Sequence, residues 1–517
     1  MRPRARRTPT GWTPTGWTPL GSIVVCGLVG LSGGCGGCDP ETTPHAFEPP
    51  PSACAAPGLP APLGRAVVVG DGSAGSCTSE ALGDAVAQGG DVSFDCGPGD
   101  VTIDVTTEIG VPEDVILDGA GRITLDGGGV SRLLHTEARV ALTVMGLTFV
   151  NGNATTSAEA RSGGAIRTGW LSTLSVFDCV FTDNVAADDG IEGGGAIYQS
   201  NGGALVVVRS TFERNQAISG GAIDNLLAPL TVVDSTFLNN TSTAGGGAIY
   251  TDGGSAHHDD GVGGLITICG CHFESNESLG TGGAVYLWAY APDVLLINRC
   301  TFERNAAYRP TPADSALGGA LRTGNAPLQI ANSVFADNHA DVHGGAYWTR
   351  GNYRTEIVNC TFYQNTAGVA GQEGGYGGAL SGFNMQLRNL TFVGNHAEFT
   401  GGAVSAEGDR WTLDNCVFLD NTSSNPWGLS QTCTDTLRGK SNLQWPAPES
   451  DGDPPCSSDV LLTDPLLGTL GDHGGPTQTI PLLGGSPATD AAAGCPATDQ
   501  RGEPRPGTCD MGAYEAQ

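Results

Sequence analysis

The chain has 517 residues, of which 24 are Lys or Arg and 54 are Asp or Glu, so its formal net charge is −30. Such an acidic protein lacks the basic surface that binds phosphate backbones, and we expect no nucleic-acid partner. Glycine contributes 80 residues, which is twice the usual share of about 7%, while apolar residues still make up 39% of the chain. This composition excludes a disordered chain and predicts a folded core shaped by glycine.

Residues 1–35 have the features of an export signal. Four arginines among the first seven residues precede an apolar run, Leu20 to Leu31, that is shorter than the roughly 20 residues of a transmembrane helix. The run ends in Ser-Gly-Gly-Cys at Cys35, which resembles the lipobox of bacterial lipoproteins, and Cys38 is a second candidate for the lipidated residue. We therefore expect a lipoprotein signal peptide that is lipidated at Cys35 or Cys38, with ordinary secretion as the alternative.

Residues 36–66 are rich in proline and alanine and predict a stiff, extended tether. Residues 67–141 are expected to form an amino-terminal cap and the first coils of a repeat fold. Within them, the stretch from Ser79 to Ala87 has the pattern of a short amphipathic helix.

Sixteen cysteines in an exported chain permit disulfides. Three pairs have spacings that would close local loops, each contributing about 2 to 4 kcal/mol by restricting the unfolded chain. These pairs are Cys77 with Cys96, Cys433 with Cys456, and Cys495 with Cys509. Five further cysteines fall at one position of the repeat described next, where we expect them to pack as small apolar residues. They are Cys179, Cys271, Cys300, Cys360 and Cys416. Cys269 is expected to share a strand face with Cys271.

From about residue 142 the chain repeats an aliphatic stretch, a small residue, Phe, Asn three positions later, and then Gly-Gly-Ala. The phenylalanines are Phe149, Phe181, Phe212, Phe237, Phe273, Phe302, Phe335, Phe362, Phe392 and Phe418. The asparagines are Asn184, Asn215, Asn240, Asn276, Asn305, Asn338, Asn365, Asn395 and Asn421. A recurrence of about 30 residues predicts a solenoid, in which each repeat packs only on its neighbours.

The repeats are predicted to be strands, because the segments before each Phe alternate at period two and are β-branched, and because glycine pairs disfavour helices. Polar residues such as Asp234 and Asn332 mark a shift in this alternation, as a corner between two strands requires. A second corner is expected at the Asn, whose amide would bond its counterparts in neighbouring coils. The sequence therefore predicts an all-β, parallel β-helix over residues 142–425, with about three strands per coil and ten or more coils.

The recurring Gly-Gly-Ala-Ile and Phe-x-x-Asn motifs resemble the repeats of exported bacterial right-handed β-helix proteins of the polymorphic outer-membrane-protein type. Residues 426–517 are similar to the choice-of-anchor Q domain in five short motifs. These motifs lie at 463–468, 474–477, 485–490, 499–502 and 509–515. The resemblance implies a right-handed helix, a place at the outer membrane or cell surface, and an irregular carboxyl-terminal cap. It implies no catalytic residues.

Two positions after each repeated alanine stands a residue expected to point outward, since the residue between them is apolar. The candidates for ligand binding in this column are Arg167, Tyr198, Asp224, Tyr250, Tyr286, Arg322 and Trp348. Aromatic rings stack on sugar faces, and Arg and Asp orient hydroxyl groups, so the column predicts a carbohydrate-binding strip. The alternatives are an ordinary β-surface without a ligand and a column covered by loops.

His257, His258, Asp259 and Asp260 lie together in a glycine-rich loop. Imidazoles and carboxylates ligate divalent ions, so a Ca²⁺ site is one interpretation of this cluster and a solvated loop is the other. We expect no required cofactor.

These features predict an exported, non-catalytic and monomeric β-helix protein that is an outer-membrane or cell-surface lipoprotein or else is secreted. Its expected partners are an extracellular glycan or a surface protein, as in adhesion, and a membrane through the amino-terminal lipid. The alternative is a polysaccharide lyase or glycoside hydrolase that acts on an extracellular polymer. That chemistry needs carboxylates grouped in one groove, and no column of the repeat groups several of them with a lysine.

Overall fold

A computed structural model describes residues 54–157, 160–190, 192–256, 262–351, 353–450 and 452–517. The predicted signal peptide, with Cys35 and Cys38, and the cluster from His257 to Asp260 lie outside the described residues. Apart from one α-helix and a 3-10 turn at Ala74–Ser76, the regular structure of the described ranges consists of β-strands. The prediction of an all-β protein is confirmed.

The α-helix, Ser79–Val86, packs on the first strands of the solenoid. It begins after Thr78, whose hydroxyl oxygen accepts a hydrogen bond from the backbone N–H of Ala81 at 3.2 Å. This bond satisfies one of the backbone N–H groups that a helix leaves unpaired at its start. A disulfide between Cys77 and Cys96 links the residue before the cap to the end of the following strand.

The strands form three parallel sheets, of which the first runs the length of the stack. The first sheet contains Ala66–Val69, Gly90–Phe94, Val101–Asp104, Val115–Asp126, Ala141–Val150, Thr173–Phe177, Val180–Thr182, Ala204–Val208, Thr211–Glu213, Leu230–Val233, Thr236–Leu238, Leu265–Cys269, His272–Glu274, Val294–Asn298, Thr301–Glu303, Leu328–Ala331, Val334–Ala336, Thr355–Val358, Thr361–Tyr363, Met385–Arg388, Thr391–Val393, Thr412–Asp414, Val417–Leu419, Arg438–Lys440, Asn442–Trp445 and Val460–Leu462. The second contains Ile109–Val111, Leu134–Thr136, Ile166–Arg167, Ile197–Gln199, Ile223–Leu226, Ile249–Asp252, Val285–Trp288, Leu321–Gly324, Tyr347–Arg350, Leu380–Phe383 and Val404–Glu407. The third contains Gln216–Ser219, Thr241–Gly245, Glu277–Ser278, Ala306–Ala307, His339–Ala340, Thr366–Ala367, His396–Ala397 and Thr422–Ser423. From the coil of Phe212 onward, each coil of the repeat passes through all three sheets and bends within the first, which confirms the right-handed parallel β-helix.

The core is ordered as columns of identical side chains, because parallel strands stack in register. The ten phenylalanine rings are fully buried, and neighbouring ring centroids are separated by 4.6 to 5.0 Å. Their ring planes are close to parallel, as between Phe273 and Phe302, where the angle is 4°. The rings thus form one continuous stack through the repeat.

A ladder of buried asparagines runs beside the rings. Asn305 represents it: its amide nitrogen donates to the side-chain oxygen of Asn338 and to the backbone oxygen of Phe273, each at 3.0 Å. Its own side-chain oxygen accepts from the amide nitrogen and the backbone N–H of Asn276, both at 3.0 Å. Both the donor and the acceptor of each such amide are therefore used inside the core.

Left-handed backbone residues turn each coil at two corners. The first corner falls on the predicted polar residues, with φ of 50° at Asp234 and 51° at Asn332. The second corner precedes the ladder asparagine by one residue, for example at Arg304, with φ of 54° before Asn305. The left-handed residue is therefore one position before the predicted asparagine, whereas the predicted amide bonds between neighbouring coils are confirmed.

Glycine is required at the two positions of Gly-Gly-Ala for different physical reasons. Gly246 has φ of 61°, a conformation that side chains disfavour. Gly247 has an ordinary backbone, but a Cβ there would lie 2.0 Å from the carbonyl oxygen of Gly283 in the next coil. The first glycine is needed for the turn and the second for the close approach of neighbouring coils.

The five repeat cysteines, Cys179, Cys271, Cys300, Cys360 and Cys416, are free and buried. They lie in the same core cluster as the phenylalanines. Burial raises the pKa of the Cys360 thiol to about 12, so this side chain stays protonated and packs as an apolar group.

The sequence predicts that Cys269 shares a strand face with Cys271, but in the structure the two side chains lie on different faces. Gly270 between them has φ of 64°, and this turn sends the two side chains in different directions. Cys271 packs in the main core, whereas Cys269 lies in a separate cluster with Val233 and Leu296 and forms a disulfide with Cys54. The bond joins the first described residue to the middle of the stack.

The chain after the last stacked ring continues the first sheet with three more strands and then becomes irregular, with isolated antiparallel bridges. Disulfides Cys433–Cys456 and Cys495–Cys509 close two loops in it. The amide nitrogen of Asn389, a corner residue of the repeat, donates to the carbonyl oxygens of Asp510 at 3.1 Å and Gly512 at 3.2 Å. The irregular segment is thereby bound to the side of the solenoid.

Candidate binding face

Side chains of the second sheet alternate between the core and the outer side of the coil. Val285 and Leu287 belong to the core, so Tyr286 and Trp288 between and beyond them face outward. The residues singled out from the sequence pair from strand to strand in the order Arg167, Tyr198, Asp224, Tyr250, Tyr286, Arg322 and Trp348. The structure therefore places all seven in one column on the outer side of the second sheet.

The column is not the freely exposed strip that its alternation led us to expect. Tyr198, Asp224 and Trp348 keep only 2, 3 and 6% of their accessible surface. A carboxylate oxygen of Asp224 accepts hydrogen bonds from the backbone N–H of Gly193 at 2.7 Å and from the hydroxyl of Ser219 at 2.8 Å. Connections between strands thus fold over parts of the column, while Tyr250, Tyr286 and Arg322 at its centre stay partly accessible.

At the centre of the column lies a set of side chains that we call the aromatic–arginine cluster. It consists of the buried Trp348 and the partly accessible Tyr250, Tyr286, Trp288 and Arg322. The rings of Tyr250 and Tyr286 stack with centroids 4.8 Å apart and an angle of 11°. The guanidinium carbon of Arg322 lies 4.4 Å from the ring centroid of Tyr286, 5.5 Å from that of Trp288 and 5.3 Å from that of Trp348. One cation is therefore in contact range of three aromatic faces, an arrangement that holds its position.

Trp288 was not singled out from the sequence, although it shares the outward face of its strand with Tyr286. Its place depends on Gly324 in the next coil, where an added Cβ would lie 2.6 Å from the Trp288 ring. The missing side chain at Gly324 lets the indole lie over the neighbouring strand. The signal for Trp288 was its even spacing from Tyr286.

A groove of about 300 Å³ borders the cluster. Tyr250, Tyr286 and Arg322 line one side of it. The remaining lining residues are Gly190, Ile218, Ser219, Ala244, Gly245 and Thr281. The groove thus combines aromatic rings, the aliphatic hydroxyl groups of Ser219 and Thr281 and the cation of Arg322, and sugar rings and their substituents bind groups of these kinds.

Burial shifts the pKa of two groups on this face. It raises the pKa of Asp224 to about 7, although the hydrogen bonds from Ser219 and Gly193 oppose that rise. Burial also lowers the pKa of Arg322, but an arginine starts so far above neutrality that the guanidinium stays charged. The cluster therefore presents a permanent positive charge beside rings.

Within the ranges that the structure describes, no group of three or more His, Cys, Asp and Glu side chains is arranged to hold a metal ion. The loop cluster from His257 to Asp260, the candidate Ca²⁺ site, lies outside those ranges. Near the aromatic–arginine cluster, the carboxylate of Asp252 accepts a hydrogen bond from the hydroxyl of Tyr290 at 2.7 Å. The carboxylates of Asp252 and Asp224 therefore both accept hydrogen bonds from groups of the protein.

The Chlamydia polymorphic membrane protein repeat matches residues 234–252. This segment runs from the corner at Asp234 through Phe237 and Asn240 to the end of the strand Ile249–Asp252, and so covers part of one coil of the solenoid. The chain is a β-helix repeat protein.

The chain is also similar to the Metabotropic glutamate receptor-like protein R of Dictyostelium discoideum, with which it shares 27% identity over 168 residues. The match covers 32% of this chain and 9% of that protein, so it concerns a small part of the relative. The repeat match is what indicates a surface-exposed protein. In the described part of the chain, no helix is both long enough and apolar enough to cross a membrane. The similarity of residues 426–517 to a choice-of-anchor Q domain stays a prediction.

Proposed function

We propose that the protein is exported to the outer membrane or cell surface of a bacterium and binds a glycan there without catalysing a reaction. The aromatic–arginine cluster carries this proposal. Stacked tyrosines, a tryptophan and an immobilised arginine lie on an open face beside a groove, and such rings bind the apolar faces of sugars. The matched membrane-protein repeat supports the location.

The proposal is tested by glycan-array binding of the full exported chain and of the double variant Tyr286→Ala/Trp288→Ala. These two residues are partly accessible and lie outside the main core, so the variant is expected to fold. Loss of two central aromatic contacts should weaken glycan binding by a factor of about ten or more. Far-ultraviolet circular dichroism should remain that of the parent.

The matched control is Trp427→Ala, which removes an indole that is 67% exposed and lies outside the cluster. Its glycan binding is expected to equal that of the parent. Equal binding by the double variant and the parent would remove the cluster as the site. Absence of any glycan ligand for the parent would contradict the proposed function itself.

A further inference from the structure

Arg322 is partly accessible and, unlike Arg132 and Arg505, has no anionic partner among the described residues. Arg132 pairs with Glu108 at 2.9 Å, and Arg505 pairs with Glu515 at 2.7 Å. Across the described ranges, by contrast, the Arg322 guanidinium has no ion pair, and its Nε is buried without a hydrogen-bond partner. A cation taken out of water normally gains a counter-charge or hydrogen bonds in return.

The rings around Arg322 replace only part of what this cation loses. Contact with the faces of Tyr286, Trp288 and Trp348 stabilises the charge through the ring quadrupoles. The rings do not, however, provide acceptors for the N–H groups at the edge of the guanidinium. That edge carries the planar fork of donors that matches a carboxylate. Among the described residues that line the groove, Arg322 is also the one that carries a charge. The groove therefore offers a carboxylate both a cation and free donors.

We infer that the glycan bound at the aromatic–arginine cluster is acidic, and that Arg322 binds the carboxylate of a uronic acid unit in it. This inference rests on the proposed function and adds the class of sugar. The partly accessible Tyr250, Tyr286 and Trp288 line the sugar site, whereas the buried Trp348 packs against Arg322 at 5.3 Å. Because the whole chain carries a net charge of −30, an acidic polymer gains no general attraction from it, and the local cation decides the preference.

The test compares an oligogalacturonate with its methyl ester, in which each carboxylate is replaced by a neutral ester group. Titration calorimetry on the full chain should show the acid bound about ten times more tightly than the ester, as for a hydrogen-bonded charge pair. Arg322→Gln should remove this preference and bind the acid as weakly as the ester. Arg410→Gln, which changes an exposed arginine in the connection between the strands Val404–Glu407 and Thr412–Asp414 and outside the cluster, should keep the preference.

Arg322→Lys provides a second variant that retains the positive charge if the glutamine variant does not fold. It should keep part of the preference, since an ammonium group lacks the planar fork. Equal binding of acid and ester by the parent overturns the inference while leaving glycan binding in place. If the parent binds neither form nor any glycan on the array, the proposed function fails and the inference fails with it.

Discussion

At the scale of single residues, each core phenylalanine contacts an identical ring on either side. The centroid separations of 4.6 to 5.0 Å are close to the distance between hydrogen-bonded strands, so one geometry satisfies both backbone pairing and ring contact. Ring stacking and strand register therefore support each other throughout the repeat.

Phe302→Ala is expected to lower the free energy of unfolding by about 3 to 5 kcal/mol, as for other buried aromatics. The substitution removes ring contacts with both Phe273 and Phe335 and leaves a cavity between them. Urea unfolding of the parent and the variant measures the difference.

Phe302→Leu is the matched control, because leucine refills much of the space and should cost clearly less than alanine. A midpoint for Phe302→Ala within error of the parent would contradict the inward position of the ring.

At the scale of the strand and its corners, close approach of neighbouring coils depends on the second glycine of Gly-Gly-Ala. The Cβ that Gly247→Ala adds would meet backbone atoms of the next coil, at 2.0 Å from the Gly283 oxygen and 2.7 Å from the Glu277 oxygen. Backbone cannot move aside without breaking strand pairing. We expect a destabilisation of about 1 to 3 kcal/mol or more, measured by thermal unfolding.

Gly110→Ala is the control for this prediction. Gly110 lies in the strand Ile109–Val111 of the same sheet, and an added Cβ there meets no atom within 4 Å. Its stability should stay within about 0.5 kcal/mol of the parent. Similar losses at both positions would show that glycine is needed for a reason other than the contact between coils.

Elements of the repeat could be predicted from the sequence because the same physical demand returns in every coil. A residue such as Phe302 or Asn305 has a counterpart of the same type in the coils above and below, so its position in the coil can be predicted from the repeat alone. Trp288 has no such column, and its position depends on the missing side chain at Gly324. The burial of Trp348 depends on how connections of unequal length fold over the sheet. The Cys54–Cys269 bond joins residues 215 positions apart, and no periodicity marks it.

At the scale of the whole molecule, the proposed location requires an attachment before the folded part. The predicted lipidation site is Cys35 or Cys38, so a labelled fatty acid should be incorporated into the parent expressed in a bacterium that processes lipoproteins. The variant Cys35→Ala/Cys38→Ala should lose the label and be released from the membrane fraction, since the acyl chains supply membrane affinity.

Each single variant then identifies which cysteine is used. Labelling that persists in the double variant, or a parent that is never labelled, would contradict the lipoprotein prediction and favour secretion. Glycan binding by the double variant should equal that of the parent, because neither cysteine belongs to the aromatic–arginine cluster.

The disulfide between Cys54 and Cys269 also determines how the solenoid bears mechanical load. A pull on the chain before Cys54 enters the stack at the coil of Cys269 through a covalent bond. The coils between Ala66–Val69 and Leu230–Val233 lie inside the loop that this bond closes, so tension bypasses them. A shear force on a bound ligand would therefore reach the attachment along a short path, from the strand Val285–Trp288 to the adjacent coil of Cys269, and would not peel the amino-terminal coils from the stack.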